Sequence, residues 1–192
     1  MDIFFLTVLG LVVGVLGIYL TWRYRHRKGD QRYEWDDIQR GVKDIIQKIK
    51  DSDWKPDILV TVTGSGGIVA NLFMKMLDER LPLYGIMLEN HKKPWGYTPP
   101  MHIKDKAGRW TINVPESLLQ EGRQKRILIV DSSLFSGLTI QKVKELLTEH
   151  GFNAVKYACL VQIEGPQGAK VEPDYWAYRT SSAVFYYPWG KG

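Results

Sequence analysis

The segment at residues 126–139, RILIVDSSLFSGLT, restricts the fold of this chain more than any other stretch. Its apolar residues 127–130 are bounded by charge, which predicts a short strand buried on both faces. Asp131 lies at the carboxyl end of this strand, and an amphipathic helix is predicted from about residue 138 to 149. A buried strand followed directly by a turn and a helix indicates an α/β domain with a mostly parallel sheet flanked by helices.

The turn between this strand and this helix is rich in residues that suit an anion. The first turn of a helix presents unpaired N–H groups, and the helix dipole favours negative charge there. Glycine lets the backbone approach a phosphate closely. An ordinary turn with hydroxyl caps is the alternative, and the spacing alone does not separate the two. The candidate phosphate-binding residues are Asp131, Ser132, Ser133, Ser136, Gly137, Leu138 and Thr139.

A second strand–turn–helix unit occurs earlier in the chain. Residues 57–63, DILVTVT, predict a strand, and a helix is predicted to extend to about residue 78. Backbone N–H groups of the glycine-rich turn between them can hold an anion, although a tight turn alone also explains the glycines. Both turns should lie at the carboxyl edge of a parallel sheet and line one pocket. The turn consists of Gly64, Ser65, Gly66 and Gly67.

The N-terminal residues 3–20 form an almost uninterrupted apolar run without a charged side chain. Its length matches the hydrocarbon core of a bilayer, so we predict one transmembrane helix within residues 1–22. A buried core helix is the alternative, but such a helix would carry a polar face. The cluster RYRHRK follows in a basic juxtamembrane linker, residues 23–32. By the positive-inside rule, this cluster predicts that the soluble domain, residues 33–192, lies in the cytoplasm.

Charge and composition exclude several classes of function. The net charge of +5 arises mainly from four basic residues of the linker, which leaves about +1 elsewhere and does not imply a nucleic-acid surface. The single cysteine, Cys159, lies in an apolar run and is predicted to be a buried small hydrophobe. The four histidines show no metal-ligand spacing with carboxylates or with this cysteine, so no metal site is predicted.

The segment at residues 126–139 also resembles the phosphoribosyl-pyrophosphate (PRPP) signature of type I phosphoribosyltransferases. That signature is a hydrophobic strand, two acidic residues, a short variable piece and Ser/Thr-Gly-x-Thr. Asp131 matches the first acid and residues 136–139 match the phosphate loop, whereas Ser132 replaces the second acid. In the 6-oxopurine branch, an acidic proton acceptor stands at the place of Phe135. The resemblance therefore implies a degenerate active site that keeps its phosphate-binding half.

Further motifs bring the resemblance nearest to the xanthine–guanine or 6-oxopurine branch. That branch carries Arg/Lys-Gly-Gly in its pyrophosphate loop; here both glycines match, and Ser65 replaces the basic residue. The C-terminal tail keeps the Asp-Tyr and Pro-Trp pairs of these enzymes, but the aromatic residue that stacks on the purine falls at Val184, next to Phe185. With Phe135, these two residues form the predicted base pocket. Packing on an edge strand is the alternative explanation for the aromatic tail.

Two functions follow from the resemblance. In the first, the membrane-anchored domain binds PRPP or a nucleotide-type phosphate as a sensor or effector with reduced or lost catalysis. In the second, it is an active purine phosphoribosyltransferase that forms a nucleoside monophosphate and pyrophosphate from PRPP and a base, with Mg²⁺ entering with PRPP. Residues 89–110 occupy the place of the family's mobile flap, with a solvated basic loop as the alternative. Self-association as a homo-oligomer is left open.

Overall fold

The computed structural model of the chain describes residues 14–16, 31–62, 64–90, 102–104, 110–164, 171–182 and 184–191. These residues form a larger sheet with helices and a smaller three-stranded sheet. In chain order the elements are β1 (Gln31–Arg32), α1 (Trp35–Lys50), β2 (Ile58–Val62), α2 (Gly66–Met76), β3 (Leu83–Asn90), β4 (His102–Lys104), β5 (Trp110–Asn113), α3 (Glu116–Glu121), β6 (Ile127–Leu134), α4 (Leu138–Glu149), β7 (Val155–Ile163), β8 (Tyr175–Thr180), β9 (Phe185–Tyr187) and β10 (Gly190–Lys191).

The larger sheet has seven strands in the order β4-β5-β3-β2-β6-β7-β8. The five strands β3, β2, β6, β7 and β8 are parallel to one another. At one edge, β5 pairs antiparallel with β3, and β4 pairs antiparallel with β5. The predicted α/β fold with a mostly parallel sheet is therefore confirmed. The chain leaves β2 toward β3 on one side and returns to β6 on the other. The carboxyl ends of β2 and β6 thus form the switch point at which open α/β sheets bind ligands.

Strand β6 lies at the centre of the fold because both of its faces are covered. Leu128 and Val130 pack into the apolar cluster beneath α1 and α2, while Ile127 and Ile129 pack into the cluster beneath α3 and α4. All four side chains are fully buried, as the apolar run predicts. Burial of such a side chain is worth on the order of 1.5–3 kcal/mol, so this strand contributes strongly to the core.

The end of β6 differs from the prediction. The sequence indicates that the strand ends at Asp131, but it continues to Leu134. The reason is the length of β7, which still offers ladder partners in this region: Asp131 pairs with Cys159 and Ser133 with Val161. Asp131 is therefore held within a strand rather than in a loop, which fixes the direction of its side chain.

The apolar residues of helix α1 recur at steps of three and four residues, a spacing that predicts one buried face. Trp35, which this spacing places on the apolar face, is 47% exposed and is the one exception. It is the first residue of the helix, and its ring lies against that of Trp189 at 5.5 Å rather than against the sheet. The buried face of the helix consists of Ile38, Gly41, Val42, Ile45, Ile46 and Ile49.

The smaller sheet joins the two ends of the domain. Gln31 and Arg32, which the sequence assigned to the linker, form β1 and pair in parallel with Phe185 and Tyr186 of β9. Strand β10 then pairs antiparallel with β9. These two residues belong to the smaller sheet because the C-terminal tail offers a strand edge.

The predicted transmembrane helix lies outside the described residues apart from one helical turn at residues 14–16. Two apolar side chains of this turn, Val15 and Leu16, are exposed. Within the part of the chain that the structure describes, no helix has the length and apolar character needed to cross a membrane. The anchor therefore stays a prediction.

Candidate functional site

A cavity of about 360 Å³ opens at the carboxyl edge of the sheet, between the ends of β2 and β6. Both glycine-containing turns contribute to it, so they meet as expected. Of the predicted phosphate-binding residues, only Leu138 is not in its lining; this residue is exposed. The described residues that line the cavity are Val62, Gly64, Ser65, Asp131, Ser132, Ser133, Leu134, Phe135, Ser136, Gly137, Thr139, Ile140 and Tyr157.

The turn between β6 and α4 leaves its backbone N–H groups open. Gly137 has a φ of 74°, a left-handed conformation that favours glycine. Its carbonyl accepts the first helical hydrogen bond, from Gln141 N–H at 2.9 Å. Among the described residues, the only hydrogen bond from an N–H group in the turn at residues 135–140 is a long one of 3.4 Å, from Leu138 N to Ser136 Oγ. The helix start therefore presents free donors to the cavity.

Asp131 is the only carboxylate among the described lining residues, and none of them is basic. Burial raises the pKa of this carboxyl from 3.8 to about 6, because the charged form has lost most of its water. Its Oδ1 accepts a hydrogen bond from Ser132 N–H at 2.7 Å, which opposes part of this rise in pKa. The negative charge on this side chain is thus uncompensated by any described cation of the cavity.

Ser132 is engaged by protein on every polar atom. It is 1% exposed, its Oγ lies 2.6 Å from Ser65 Oγ, and its carbonyl accepts a hydrogen bond of 2.6 Å from the hydroxyl of Tyr187. By the family resemblance, position 132 would carry an acidic side chain and position 65 a basic side chain. In this chain a neutral hydroxyl pair occupies both positions, so the two departures from the signature are in direct contact.

The glycine-rich turn after β2 uses two backbone N–H groups at the start of α2 within the turn itself. Gly67 N–H donates to Gly64 O and Ile68 N–H donates to Ser65 O, each at 3.1 Å. Gly66 and Gly67 do not line the cavity. A Cβ atom on Gly66 would lie 2.8 Å from Asp131 Oδ1, so this glycine allows the helix to pack against β6. Of the predicted pyrophosphate loop, only Gly64 and Ser65 reach the cavity.

The cavity contains one of the three residues of the predicted base pocket, which stays a prediction. Phe135 is 45% exposed and lines the cavity, but neither Val184 nor Phe185 does. Phe185 is 1% exposed and packs edge-on against Tyr187 at 5.3 Å. Val184 exchanges two hydrogen bonds with the hydroxyl of Ser182. Strand β9 directs Phe185 and Tyr187 toward the core, as in the alternative of edge-strand packing.

Two tyrosines of the site are not among the residues that the sequence predicts. Tyr157 lines the cavity from β7, and Tyr187 holds the carbonyl of Ser132. The only available signal was a polar tip within an apolar run, which also describes an ordinary core residue. Burial raises the pKa of both hydroxyls, so they stay protonated. Among the described residues, no group of three or more His, Cys, Asp or Glu side chains could hold a metal ion.

An open parallel sheet with a cavity at its switch point and a free helix N-terminus defines the class of the molecule as an α/β domain suited to anionic ligands. The phosphoribosyl transferase domain family matches residues 30–191, and the chain belongs to this family. Among curated proteins, the adenine phosphoribosyltransferase of Rhodospirillum rubrum is 30% identical over 122 residues, which cover 62% of this chain and 68% of that protein.

Solved structures agree with this membership. The purine phosphoribosyltransferase from Pyrococcus horikoshii Ot3 has a TM-score of 0.65 at 25% identity and matches 85% of this chain and 95% of that one. A hypothetical protein from Neisseria gonorrhoeae with bound ppGpp shares the fold, with a TM-score of 0.60 at 24% identity over 83% of this chain and 89% of that chain. These relatives include purine enzymes, and the assignment to the xanthine–guanine branch stays a prediction.

Proposed function

We propose that this chain is a membrane-anchored phosphoribosyltransferase-like protein that binds PRPP or a nucleotide-type phosphate as a sensor or effector, with reduced or lost catalysis. One observation carries the proposal. The turn at Gly137 offers free N–H groups to the cavity, while Asp131 is the only charged side chain among the described lining residues. The site thus keeps donors for a phosphate and has few groups for chemistry.

Three features support binding. Free N–H groups at a helix start, together with the helix dipole, favour a phosphate. The hydroxyls of Ser133, Ser136 and Thr139 also belong to the cavity lining and add further donors. The volume of about 360 Å³ falls within the range of about 300–1,000 Å³ that is usual for small-molecule sites.

The same cavity argues against efficient catalysis. Phe135 occupies the place at which the 6-oxopurine branch has a proton acceptor, and a phenyl ring accepts no proton. A positioned general base typically contributes about 10²–10⁴-fold to a rate. Ser132 replaces the second acid, and its hydroxyl is bonded to Ser65. The two residues that would hold ribose hydroxyls are therefore reduced to Asp131 alone.

The residues fit Mg²⁺ only as a companion of PRPP. Mg²⁺ is usually held by one or two carboxylates together with substrate phosphates, and Asp131 supplies one carboxylate. When bound with PRPP, the ion would neutralise charge on the pyrophosphate. The protein's own part is to orient the ligand with the turn at Gly137 and the side chain of Asp131.

An active purine phosphoribosyltransferase is the second candidate. Relatives named as adenine and purine phosphoribosyltransferases, at 30% and 25% identity, favour it. The presence of Asp131 in the cavity also favours it, because this residue matches the first acid of the signature.

The cytoplasmic membrane anchor is part of the proposal. The length and apolar character of residues 3–20 support it, together with the exposed Val15 and Leu16. The test is membrane fractionation with an alkaline carbonate wash, combined with a reporter fused to the C-terminus. Release into the wash, or a reporter signal from the opposite side of the membrane, would contradict the anchor or its orientation.

The central experiment is isothermal titration of the full-length protein in detergent with PRPP, GMP and ppGpp. It is followed by an assay of pyrophosphate release with adenine, guanine, hypoxanthine and xanthine. We expect binding without turnover. Turnover that is lost in Asp131→Asn would establish the active enzyme instead, and the absence of any binding would contradict both functions.

A further inference from the structure

We propose that Tyr187 is a positioning residue of the phosphate site. Through this tyrosine, the end of β6 is joined to β1, the first strand after the predicted anchor. The inference rests on the proposed function, because it concerns the shape of the same cavity. It is carried by a continuous set of hydrogen bonds and ring contacts among described residues.

The first step concerns the end of β6. Thr61 and Val130 form the last described pair between β2 and β6, so the four residues from Asp131 to Leu134 extend beyond the ladder on that side. A buried carbonyl in such an extension needs another partner. The hydroxyl of Tyr187 provides it, with a buried hydrogen bond of 2.6 Å to Ser132 O.

The second step concerns Ser132, which joins three parts of the site. Its N–H donates to Asp131 Oδ1 at 2.7 Å, its hydroxyl contacts Ser65 Oγ at 2.6 Å, and its carbonyl accepts from Tyr187. A movement of this one residue changes the carboxylate, the glycine-rich turn and the start of the phosphate turn together. The Tyr187 hydroxyl therefore restrains the geometry of the whole cavity edge.

The third step concerns how Tyr187 is itself held. Its ring is stacked on Trp189 at 4.6 Å and lies 5.8 Å from the ring of Tyr33. Tyr33 N–H donates to Tyr186 O at 2.9 Å, and Arg32 pairs with Tyr186 in the smaller sheet. The residues that follow the predicted anchor are thus bonded to the strand that carries the positioning hydroxyl.

The variant Tyr187→Phe tests this role, because it removes one hydroxyl and keeps the ring packing. The matched control is Tyr178→Phe. The Tyr178 hydroxyl also donates to a backbone carbonyl, that of Asp37, at 2.8 Å, and it does not line the cavity. Both variants are made in the full-length protein, and thermal unfolding verifies that each one folds.

Two measurements are made on each variant: affinity for PRPP by titration, and hydrogen exchange of the N–H groups of residues 131–139 without ligand. For Tyr187→Phe we expect affinity to fall about tenfold, in line with the loss of one buried hydrogen bond, and exchange in this segment to become faster. For Tyr178→Phe we expect both quantities to stay within about twofold of the parent protein.

The outcomes separate this inference from the proposed function. Normal affinity and normal exchange in Tyr187→Phe would overturn the inference alone. Equal losses in both tyrosine variants would also overturn it, since they would indicate a general loss of stability. If the parent protein does not bind PRPP, GMP or ppGpp, the proposed function fails. Exchange in residues 131–139 then decides whether Tyr187 restrains this segment.

Discussion

The two strand–turn–helix units that face the cavity differ in how they use the backbone N–H groups at the start of their helices. In the unit after β2, Gly67 and Ile68 donate to carbonyls within their own turn. In the unit after β6, the turn around Gly137 leaves its donors open to the cavity. The comparison shows that glycine content does not by itself identify an anion site, because a glycine-rich turn can consume its own donors.

The two units also differ in the role of the glycine at the start of each helix. Gly137 adopts a left-handed conformation at a helix start, whereas Gly66 permits close packing between α2 and β6. We therefore expect the unit after β2 to pack against Asp131 and the unit after β6 to bind the phosphate. Variants that affect one unit but not the other test this division.

The largest effect is expected when an acid is placed at the contact between the two units. Ser132→Asp would bury a carboxylate at a position that is 1% exposed, beside Asp131 and without a described cation in the cavity. An uncompensated buried charge typically costs about 3–5 kcal/mol, and we expect a loss of this size in the free energy of unfolding at pH 7. Denaturant titration measures it.

A double-mutant cycle sharpens this prediction. Ser65→Lys places a cation at the other side of the same contact, where the two hydroxyl oxygens are 2.6 Å apart. The double variant should recover at least about 1 kcal/mol relative to the sum of the single effects, because the two charges then pair. A purely additive result would mean that the glycine-rich turn after β2 is too rigid to bring the lysine to the carboxylate.

The second prediction concerns ligand affinity and separates the phosphate turn from backbone strain. Gly137→Asp should weaken PRPP binding by at least about 100-fold, since it adds a negative charge at the helix start that receives the phosphate. Gly151→Asp is the matched control, because Gly151 has a φ of 88° and lies just after the other end of α4. Equal losses of affinity in both variants would show that strain, not charge, is responsible.

Much of this architecture follows from the sequence, and the reasons for the exceptions are local. The apolar run at residues 127–130 predicts a strand that is buried on both faces, because it is bounded by charge and is too short for a buried helix. Helix α4 begins and ends where its amphipathic pattern predicts. Periodicity measures which faces are apolar, and these elements are defined by apolar faces.

The details of the site depend on contacts that periodicity does not contain. The extension of β6 depends on the length of β7, which is separated from it in sequence. The inward direction of Phe185 depends on pairing between β9 and β1, which lie at opposite ends of the domain. The contact between Ser65 and Ser132 depends on the register of β2 against β6. Such long-range pairings fix a site more finely than a motif does.

The third prediction tests whether Asp131 lacks a counter-charge, as the absence of a basic residue from the described cavity lining implies. The pKa of this carboxyl in the folded protein, about 6, lies above the ordinary 3.8, so folding favours its protonated form. The resulting cost to folding is absent below about pH 4, grows between about pH 4 and 6, and is complete above that range. Asp131→Asn should therefore raise the free energy of unfolding at pH 8 by about 3 kcal/mol and leave it nearly unchanged at pH 4.

Asp57 provides a control of the opposite sign. Hydrogen bonds from Arg126 hold the pKa of its carboxyl at about 2, so it stabilises the fold above its ordinary pKa and loses this contribution as the pH falls toward 2. Asp57→Asn should therefore lower the unfolding midpoint in urea at pH 8, with a smaller loss near pH 3. An unchanged midpoint for Asp131→Asn at pH 8 would indicate that a counter-charge reaches this carboxylate.

The smallest effect is expected where the first unit touches the second. In Gly66→Ala, the added methyl group would lie 2.8 Å from Asp131 Oδ1 and 3.3 Å from Asp131 Cα, and the backbone atom cannot move aside easily. We expect a loss of about 1 kcal/mol in the free energy of unfolding from this overpacking.

Gly67→Ala is the matched control in the same helical turn, because nothing lies within 4 Å of its added methyl group and alanine favours helix. Calorimetry should show a lower melting temperature for the first variant and an unchanged or higher one for the second. The opposite order would mean that α2 is not held against β6 at Asp131.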